Sequence, residues 1–393
     1  MSKSKSPLLK LIFILIFIGL TFISISSLTE ANNTIGDKFF YLKKQSFWVV
    51  ISFISFFVTS KINLNLIKKL SLLFYLFSII CLFLVLIPGF SNQALGASRW
   101  LNLGLFSFQP SELVKLSSVI YFASLFSVEK KRNFINLIIY LAIPFILIIL
   151  EPNLSTAILI SAIIISIFYL SGGKIMPLFL LCLSLIGLSL VLVYTSPYRK
   201  ARFNTLVNPN IATKSESYHS NQIILSLSSG GMFGKGFANS DQKYRFLPKI
   251  STDSILAIIG EEVGFIGVLL ILIIYMVLIT YLIKLASSIN SDSFSSLIVA
   301  GTTCWITYQS LINIAAIASL IPLTGVPLPF ISYGGSSLFT LMIALGLVHN
   351  IEKQHPLLIY SNYDQTPKKN SSHRNSSYPR ARTHSPTSRR PQT

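Results

Sequence analysis

Long apolar runs recur along this sequence and limit what the chain can fold into. Hydrophobic residues make up 52% of the 393 positions and charged residues 11%, and many runs reach the roughly 18 residues that a transmembrane helix requires. This pattern excludes a disordered chain and argues strongly against a water-soluble globular enzyme. We predict an all-α polytopic membrane protein with about ten transmembrane helices. The predicted spans are 11–28, 46–60, 70–88, 111–128, 134–150, 154–171, 176–195, 255–283, 296–320 and 336–351.

The distribution of basic residues predicts the orientation of these spans. The chain carries 32 Lys and Arg against 13 Asp and Glu, a formal net charge of +19. With the N-terminus inside, the basic residues of the short loops are concentrated on the inner side, as the positive-inside rule requires. We therefore predict a multi-pass membrane protein with cytoplasmic N- and C-termini.

A long outer segment between spans 7 and 8, residues 196–254, departs from that rule. Segments of this length tolerate positive charge, so a passive loop is one interpretation. The charges cluster beside the flanking spans, which favours the other interpretation, a basic funnel for an anionic ligand at the outer surface. Its basic residues are Arg199, Lys200, Arg202, Lys214, Lys235, Lys243, Arg245 and Lys249.

The C-terminal residues 361–393 differ in composition from the rest. They contain Ser, Pro, Asn, Thr, His and Arg with almost no aliphatic residues, which predicts a disordered basic tail on the cytoplasmic side. The membrane domain then spans residues 1–360. We predict no nucleic-acid partner for the tail; contact with the anionic inner leaflet, or no contact at all, is favoured instead.

Asp253 is the acid that stands out among the few on the outer side. It lies where the basic segment joins the long apolar helix of span 8. Ser251, Thr252 or Asp253 could cap that helix, and the helix dipole favours a carboxylate there. A carboxylate at the membrane surface, beside cations, could equally accept a proton from a substrate hydroxyl. The residues alone leave both roles open.

Two further acidic pairs lie near the outer ends of spans. Glu261 and Glu262 are adjacent, so they cannot share one helix face, and at least one should point into the bundle and find a polar or cationic partner. Glu112 and Lys115 are three residues apart after Pro110, so they share a helix face. An intrahelical ion pair is one interpretation of Lys115; contact with a bundle carboxylate or a substrate phosphate is the other.

Two segments are too rich in glycine and proline for continuous helix. Residues 325–337 predict irregular backbone at membrane depth, which is tolerated where it lines a cavity, and Ser332 and Tyr333 could offer hydroxyl groups there. Residues 230–236 predict a turn-rich loop. The glycines of that loop are only a weak signal for a phosphate site.

Three motifs, in this order, resemble those of the SEDS family of shape, elongation, division and sporulation proteins, represented by FtsW, RodA and SpoVE. The resemblance covers nearly the whole chain except its first few residues and the tail. The first motif is 96–100 with 108–112 and Lys115; the second is 230–236 with 242–243, 247–248, 252–253 and 260–267; the third is 327–337.

The resemblance implies a ten-span peptidoglycan glycosyltransferase that polymerises lipid II on the outer face of the membrane. The family's essential aspartate corresponds to Asp253, which becomes the expected general base. The implied partners are lipid II, the nascent glycan, a class B penicillin-binding transpeptidase and other division proteins. The substrate-binding residues that we predict are Arg99, Glu112, Lys115, Arg199, Lys200, Arg202, Lys243, Arg245, Ser332 and Tyr333.

The chain departs from the family pattern at two places. Residues 248–251 lack an acid and a histidine that the family has before its aspartate, so a metal role based on that pair is in doubt. No cofactor is evident, and a divalent cation is left open. An acid in the motif at 151–157 has moved by two positions to Glu151, for which we predict, as for Glu261 and Glu262, a structural role in the bundle.

The motifs leave several functions open. A division polymerase, similar to FtsW, is the favoured assignment, and an elongation polymerase similar to RodA is the first alternative. A flippase for the lipid-linked precursor and a weakly catalytic scaffold for a transpeptidase are the others. The Ile-, Asn-, Lys- and Phe-rich composition is typical of an AT-rich genome, such as that of an endosymbiont or a peptidoglycan-bearing plastid.

Overall fold

The computed structural model describes residues 6–94, 97–102, 104, 107–207, 214–237, 239–240, 253–289 and 292–355. Within these residues the protein is a bundle of α-helices with one small sheet. The helices are α1 (Pro7–Ile35), α2 (Phe40–Thr59), α3 (Leu64–Val85), α4 (Pro110–Phe126), α5 (Phe134–Leu150), α6 (Leu154–Leu170), α7 (Ile175–Thr195), α8 (Pro197–Val207), α9 (Lys214–Gly230), α10 (Ile255–Ser288), α11 (Ser293–Ile317) and α12 (Gly335–Gln354). The strands are β1 (Ser91–Ala94), β2 (Ala97–Asn102) and β3 (Ser107–Phe108).

Each of the ten predicted spans coincides with a helix, with ends that differ by a few residues. Six described helices are long and apolar enough to cross a membrane: residues 7–26 of α1, and α3, α7, α10, α11 and α12. The apolar helices α5 and α6 are shorter. The helices α2 and α4 cover the other two predicted spans without meeting that combination of length and hydropathy. The polytopic helical class is therefore confirmed.

Two connections are more regular than predicted. The outer segment 196–254 is no simple loop, because α8 and α9 form within it. The connection between α3 and α4 contains the antiparallel order β1-β2-β3, with Leu101 opposite Phe108, so the purely α-helical prediction is wrong there. In both places regular structure gives backbone N–H and C=O groups the partners that they need near a membrane surface.

The centre of the bundle is formed by α4, α11 and α12. The helix α12 packs along α2, and α11 packs against α10, α6 and α4. Small residues permit the closest approach: a methyl group on Gly346 would lie 2.0 Å from Thr59 Oγ1. Membrane helices use such positions because van der Waals packing, rather than the hydrophobic effect, holds them together. In contrast, α7 carries most of its apolar side chains outward, as a lipid-facing helix does.

Residues 326–332, between α11 and α12, are irregular and mostly buried. The prediction for residues 325–337 is therefore confirmed up to residue 334, because α12 already begins at Gly335. Carbonyl groups of this irregular segment are bound by side chains of neighbouring helices. Asn313 Nδ2 donates to Val326 O at 2.8 Å, Gln309 Nε2 donates to Pro327 O at 2.9 Å, and the Tyr275 hydroxyl donates to Pro329 O. Irregular backbone can remain at this depth because its polar groups are satisfied in this way.

A glycine loop, residues 230–236, locks into a break in α10. Gly264 interrupts that helix with φ 74° and ψ −172°. Across the break, Lys235 N donates to Glu261 O at 2.9 Å and Gly236 N to Glu262 O at 3.0 Å, while Phe265 N donates back to Gly231 O at 3.0 Å. The glycine loop is thus a packing device, and two amide groups that a phosphate cradle would offer bind α10 instead.

Candidate active site at one end of the bundle

Asp253 begins the turn that leads into α10. Its backbone oxygen accepts a hydrogen bond from Asn313 Nδ2 at 3.3 Å. The N-cap position belongs to Ser254, whose side chain makes no capping bond and lies 3.3 Å from His219 Nε2 of α9. Asp253 is therefore not the helix cap, and the other two candidate caps, Ser251 and Thr252, lie outside the described residues.

The carboxylate of Asp253 faces the irregular segment before α12. Gly325 has φ +68°, and a methyl group on it would lie 3.4 Å from Asp253 Oδ2. A side chain at this position would be strained by the backbone and would contact the carboxylate. The preceding residue, Thr324, lines a cavity of the described chain. Asp253 thus lies next to the rim of that cavity.

The cavity has a volume of about 730 Å³ and lies between α6, α7 and α11. Its walls are mainly apolar, with Ile158, Ile165 and Leu185 among them. Arg99, Arg199 and Arg202 line it where α6 begins and α7 ends. The cavity therefore combines an apolar body with a cationic mouth, an arrangement suited to a lipid with a phosphate head group.

The three arginines of the mouth are held by backbone carbonyl groups. Arg99 donates from Nε to Glu151 O at 3.1 Å and from Nη2 to Pro152 O at 2.5 Å. Arg199 Nη2 donates to Ile149 O at 3.2 Å, and Arg202 Nη1 donates to Leu323 O at 2.9 Å. Two of the three therefore bind carbonyls at the C-terminal end of α5, where a helix dipole favours cations.

Glu151 follows α5 directly and is 1% exposed. Neither of its carboxylate oxygens has a hydrogen-bond partner among the described residues. Burial raises the pKa of this carboxyl to about 8, and the charge of Arg99 opposes that rise. A structural role was predicted for Glu151, and its place in the chain is directly before the cavity-lining residues Pro152 and Asn153.

Other predicted substrate-binding residues that the structure describes do not line the cavity. Lys200 is exposed and does not line the cavity. Lys243 and Arg245 lie outside the described residues. Ser332 Oγ accepts a hydrogen bond from Leu328 N at 2.9 Å, so its hydroxyl stabilises its own turn. Tyr333 packs edge-on against Tyr41.

Glu112 and Lys115 form the predicted ion pair in α4, with Lys115 Nζ 2.7 Å from Glu112 Oε2. Both side chains are buried, and Lys115 also donates to Gln309 Oε1 at 2.8 Å and lies over the Trp305 ring at 5.1 Å. Neither residue lines the cavity. The structure thus shows the ion-pair interpretation of Lys115, in a buried network that also fixes Gln309.

The prediction for the adjacent acids of α10 is also confirmed in part. Glu261 is fully buried, pairs with Lys235 Nζ at 3.2 Å and accepts from Ser240 Oγ at 2.6 Å. Glu262 is buried beside it. The Glu261 pair ties the glycine loop to α10, which is the structural role that was expected.

Two residues beside the site were missed from the sequence. Gln309 and Asn313 are buried on α11 and hold the irregular segment next to Asp253. The signal was available, because two amides four residues apart on an apolar helix share a face, and polar groups inside a membrane are costly unless they are used.

No group of three His, Cys, Asp or Glu side chains that could hold a metal ion occurs among the residues that the structure describes. The divalent cation remains a prediction.

Comparison with known proteins gives consistent matches. Stage V sporulation protein E of Bacillus subtilis is 34% identical over 363 residues, 90% of this chain and 98% of that protein. The probable peptidoglycan glycosyltransferase FtsW of Buchnera aphidicola subsp. Baizongia pistaciae is 34% identical over 346 residues, 86% of this chain and 90% of its own length.

Solved structures share the fold. A chain from a peptidoglycan synthase complex, described for its coordination of polymerization and crosslinking, matches with a TM-score of 0.73 at 23% identity, over 90% of this chain and 99% of the other. The Thermus thermophilus rod shape determining protein RodA matches with a TM-score of 0.67 at 22% identity, over 90% and 98%. A profile of the cell cycle proteins FtsW, RodA and SpoVE matches residues 6–356. The chain is therefore a member of the FtsW, RodA and SpoVE family of cell cycle proteins.

Proposed function

We propose that this chain is a peptidoglycan glycosyltransferase that polymerises lipid II during cell division. The cavity with its apolar body and arginine mouth, next to Asp253, is the observation that carries the proposal. Relatives named as probable peptidoglycan glycosyltransferases FtsW, in organisms such as Geobacter and Buchnera, support the same activity. These relatives are bacterial and give no support to a plastid location, so the proposed location is the bacterial plasma membrane.

The proposed orientation places ten spans in the membrane with both termini in the cytoplasm. Arg99, Asp253 and the start of α8 then lie on the outer face. The distribution of basic residues in the short loops supports this orientation. Lipid II would reach the cavity from the outer leaflet, with its isoprenoid chain among the apolar walls and its diphosphate at the mouth.

The proposed mechanism divides the reaction between the two parts of the site. Asp253 accepts the proton of the acceptor hydroxyl as that oxygen attacks the anomeric carbon of the donor, with inversion. The bond to the diphosphate breaks, and the arginine charges stabilise the leaving undecaprenyl diphosphate. Both effects require the carboxylate and the cations to lie at the same end of the bundle, and they do so here.

A transpeptidase of class B is the proposed partner. The structural neighbour from a peptidoglycan synthase complex, in which polymerization and crosslinking are coordinated, supports this. Copurification of the chain with a class B penicillin-binding protein from cells would test it, and recovery of the chain without any such protein would count against it.

The activity is tested by polymerisation of lipid II with the purified protein and its partner. Asp253→Ala and the isosteric Asp253→Asn should abolish glycan formation, whereas Asp37→Asn, which removes an exposed carboxylate of another outer connection, should leave it intact. Parallel reactions with and without Mg²⁺ test the divalent cation. Undiminished polymerisation by Asp253→Asn would refute the assignment of the base.

Cells depleted of the protein distinguish the division role from elongation. Filaments are expected for a division polymerase, and round cells would indicate an elongation polymerase instead.

A further inference from the structure

Glu151 is a buried acid that the proposed mechanism does not use. It lies in the turn between α5 and α6, it is 1% exposed, and among the described residues neither carboxylate oxygen has a hydrogen-bond partner. A buried polar group without partners costs free energy, so its presence calls for an explanation. Its neighbours supply one, since Pro152 and Asn153 line the cavity directly after it.

Two arginines of the cavity mouth bind the backbone around Glu151. Arg99 donates to the carbonyl of Glu151 itself and to that of Pro152. Arg199 donates to the carbonyl of Ile149, two residues earlier. The carboxyl therefore lies within the same small region as the charges that face a ligand in the cavity. Three arginines contribute three positive charges to that region, and ionisation of Glu151 lowers this total by one.

We propose that Glu151 is a positioning residue that controls how strongly the cavity mouth attracts a phosphate ligand. Protonated, it leaves the full charge of Arg99 to the ligand; ionised, it draws the Arg99 guanidinium toward itself and offsets part of that charge. This inference rests on the proposed function, because it takes the cavity as the site of a lipid diphosphate.

Burial supports the protonated form near neutral pH, since it raises the pKa of Glu151 to about 8. An anion bound at the mouth disfavours a second negative charge nearby and so raises this pKa further. Binding of a diphosphate above pH 8 must then take up a proton, and affinity must fall as pH rises through that value.

Few other titratable groups surround this turn. The outer half of α6 brings none. The groups on the other elements packed around the turn and the cavity are Arg99 on β2, Arg199 and Arg202 on α8, Cys182 and Tyr194 on α7, Tyr75 and Cys81 on α3, and Tyr308 on α11. The arginines stay charged throughout the relevant range. Glu151 is the one carboxyl of this set, and burial raises its pKa into that range.

The test measures binding of undecaprenyl diphosphate to the purified full-length protein in detergent, between pH 7 and pH 9.5. For the wild type we expect the dissociation constant to rise about tenfold across this range, the effect of one charge a few ångströms from the phosphates at an intermediate dielectric. Glu151→Gln should bind as the wild type does at pH 7 and show no such rise. Glu129→Gln, which removes an exposed acid far from the cavity, should keep the wild-type curve.

A second measurement needs no variant. Calorimetric titration at pH 8.5 in two buffers of different ionisation enthalpy should show proton uptake on binding. Zero uptake, or an unchanged pH dependence in Glu151→Gln, would overturn the role of Glu151 while leaving the cavity assignment intact. Absence of binding by every variant at every pH would overturn both.

Discussion

Replacing Lys115 by methionine separates the two interpretations of this residue. The side chain is 1% exposed and carries the charge that compensates Glu112 at 2.7 Å. Methionine keeps the volume but leaves a buried carboxylate without its cation, which typically costs about 3–5 kcal/mol of folding stability. The Trp305 indole N–H still donates to Gln309 at 2.7 Å, so that amide oxygen keeps a partner. The loss should therefore come mainly from the stranded Glu112 charge, with a smaller part from the lost contact between the Lys115 ammonium and the Trp305 ring.

The assay is thermal unfolding of the purified protein in detergent, combined with binding of undecaprenyl diphosphate. If the pair is structural, Lys115→Met should be strongly destabilised, and the double variant Glu112→Gln with Lys115→Met should recover most of the loss, because no buried charge remains. Binding by the folded fraction should be unchanged. A Lys115→Met protein of wild-type stability that no longer binds the lipid would refute this reasoning and restore substrate contact as the role of Lys115.

Two further predictions concern the glycine loop and Glu151. Gly234→Ala should lower the free energy of unfolding by about 3 kcal/mol, because a methyl group there would lie 2.2 Å from Glu262 O at a φ of +80°. The control is Gly187→Ala on α7, where nothing lies within 4 Å. It should be neutral or slightly stabilising in the same melting experiment. Glu151→Gln should raise stability relative to the wild type by about 3 kcal/mol at pH 7. Folding raises the pKa of Glu151 from 4.5 to about 8. Between these pH values the folded wild type binds a proton that the unfolded chain releases, so the stability of the wild type falls as pH rises. An equal or lower melting temperature of Glu151→Gln relative to the wild type at pH 7 would contradict that sign.

The helices were predictable because hydropathy is a local property. Ten apolar segments coincide with ten helices, and the Pro and Gly content of residues 325–337 identified the irregular segment before α12. The proline after Gln109 likewise marked the start of α4. In each case the cause is the need for backbone hydrogen bonds in an apolar environment. That need acts on neighbouring residues, so the local sequence shows it.

The regular structure of the connections was not predictable in the same way. The helices α8 and α9 are polar, and the strands β1 to β3 are short, so neither carries a strong hydropathy period. The sheet pairs residues on a connection whose composition alone reads as a loop. Whether these elements form depends on where the bundle holds the ends of each connection, and the local sequence does not contain that.

The site was predictable in its residue types but only partly in its geometry. Arg99, Arg199 and Arg202 were named from charge, and the structure brings these three to one cavity. Nothing in the order of residues distinguishes them from Lys200, which is exposed, or separates Lys115, which is buried in an ion pair. Which basic side chain faces a ligand depends on helix rotation and packing, and these are set by contacts between distant segments.

The break at Gly264 gives α10 two parts that need not turn together. Asp253 precedes the first residue of α10, about ten residues before the break. At the rise of an α-helix this places it roughly 15 Å from Gly264. At this distance a rotation of about 10° at the break would move the carboxylate by roughly 3 Å. That displacement is enough to take a general base out of hydrogen-bond reach of the proton that it abstracts. The backbone bonds of the glycine loop on both sides of the break hold the two parts at one angle. In the proposed mechanism the loop thereby fixes the position of Asp253 without contacting a reacting group.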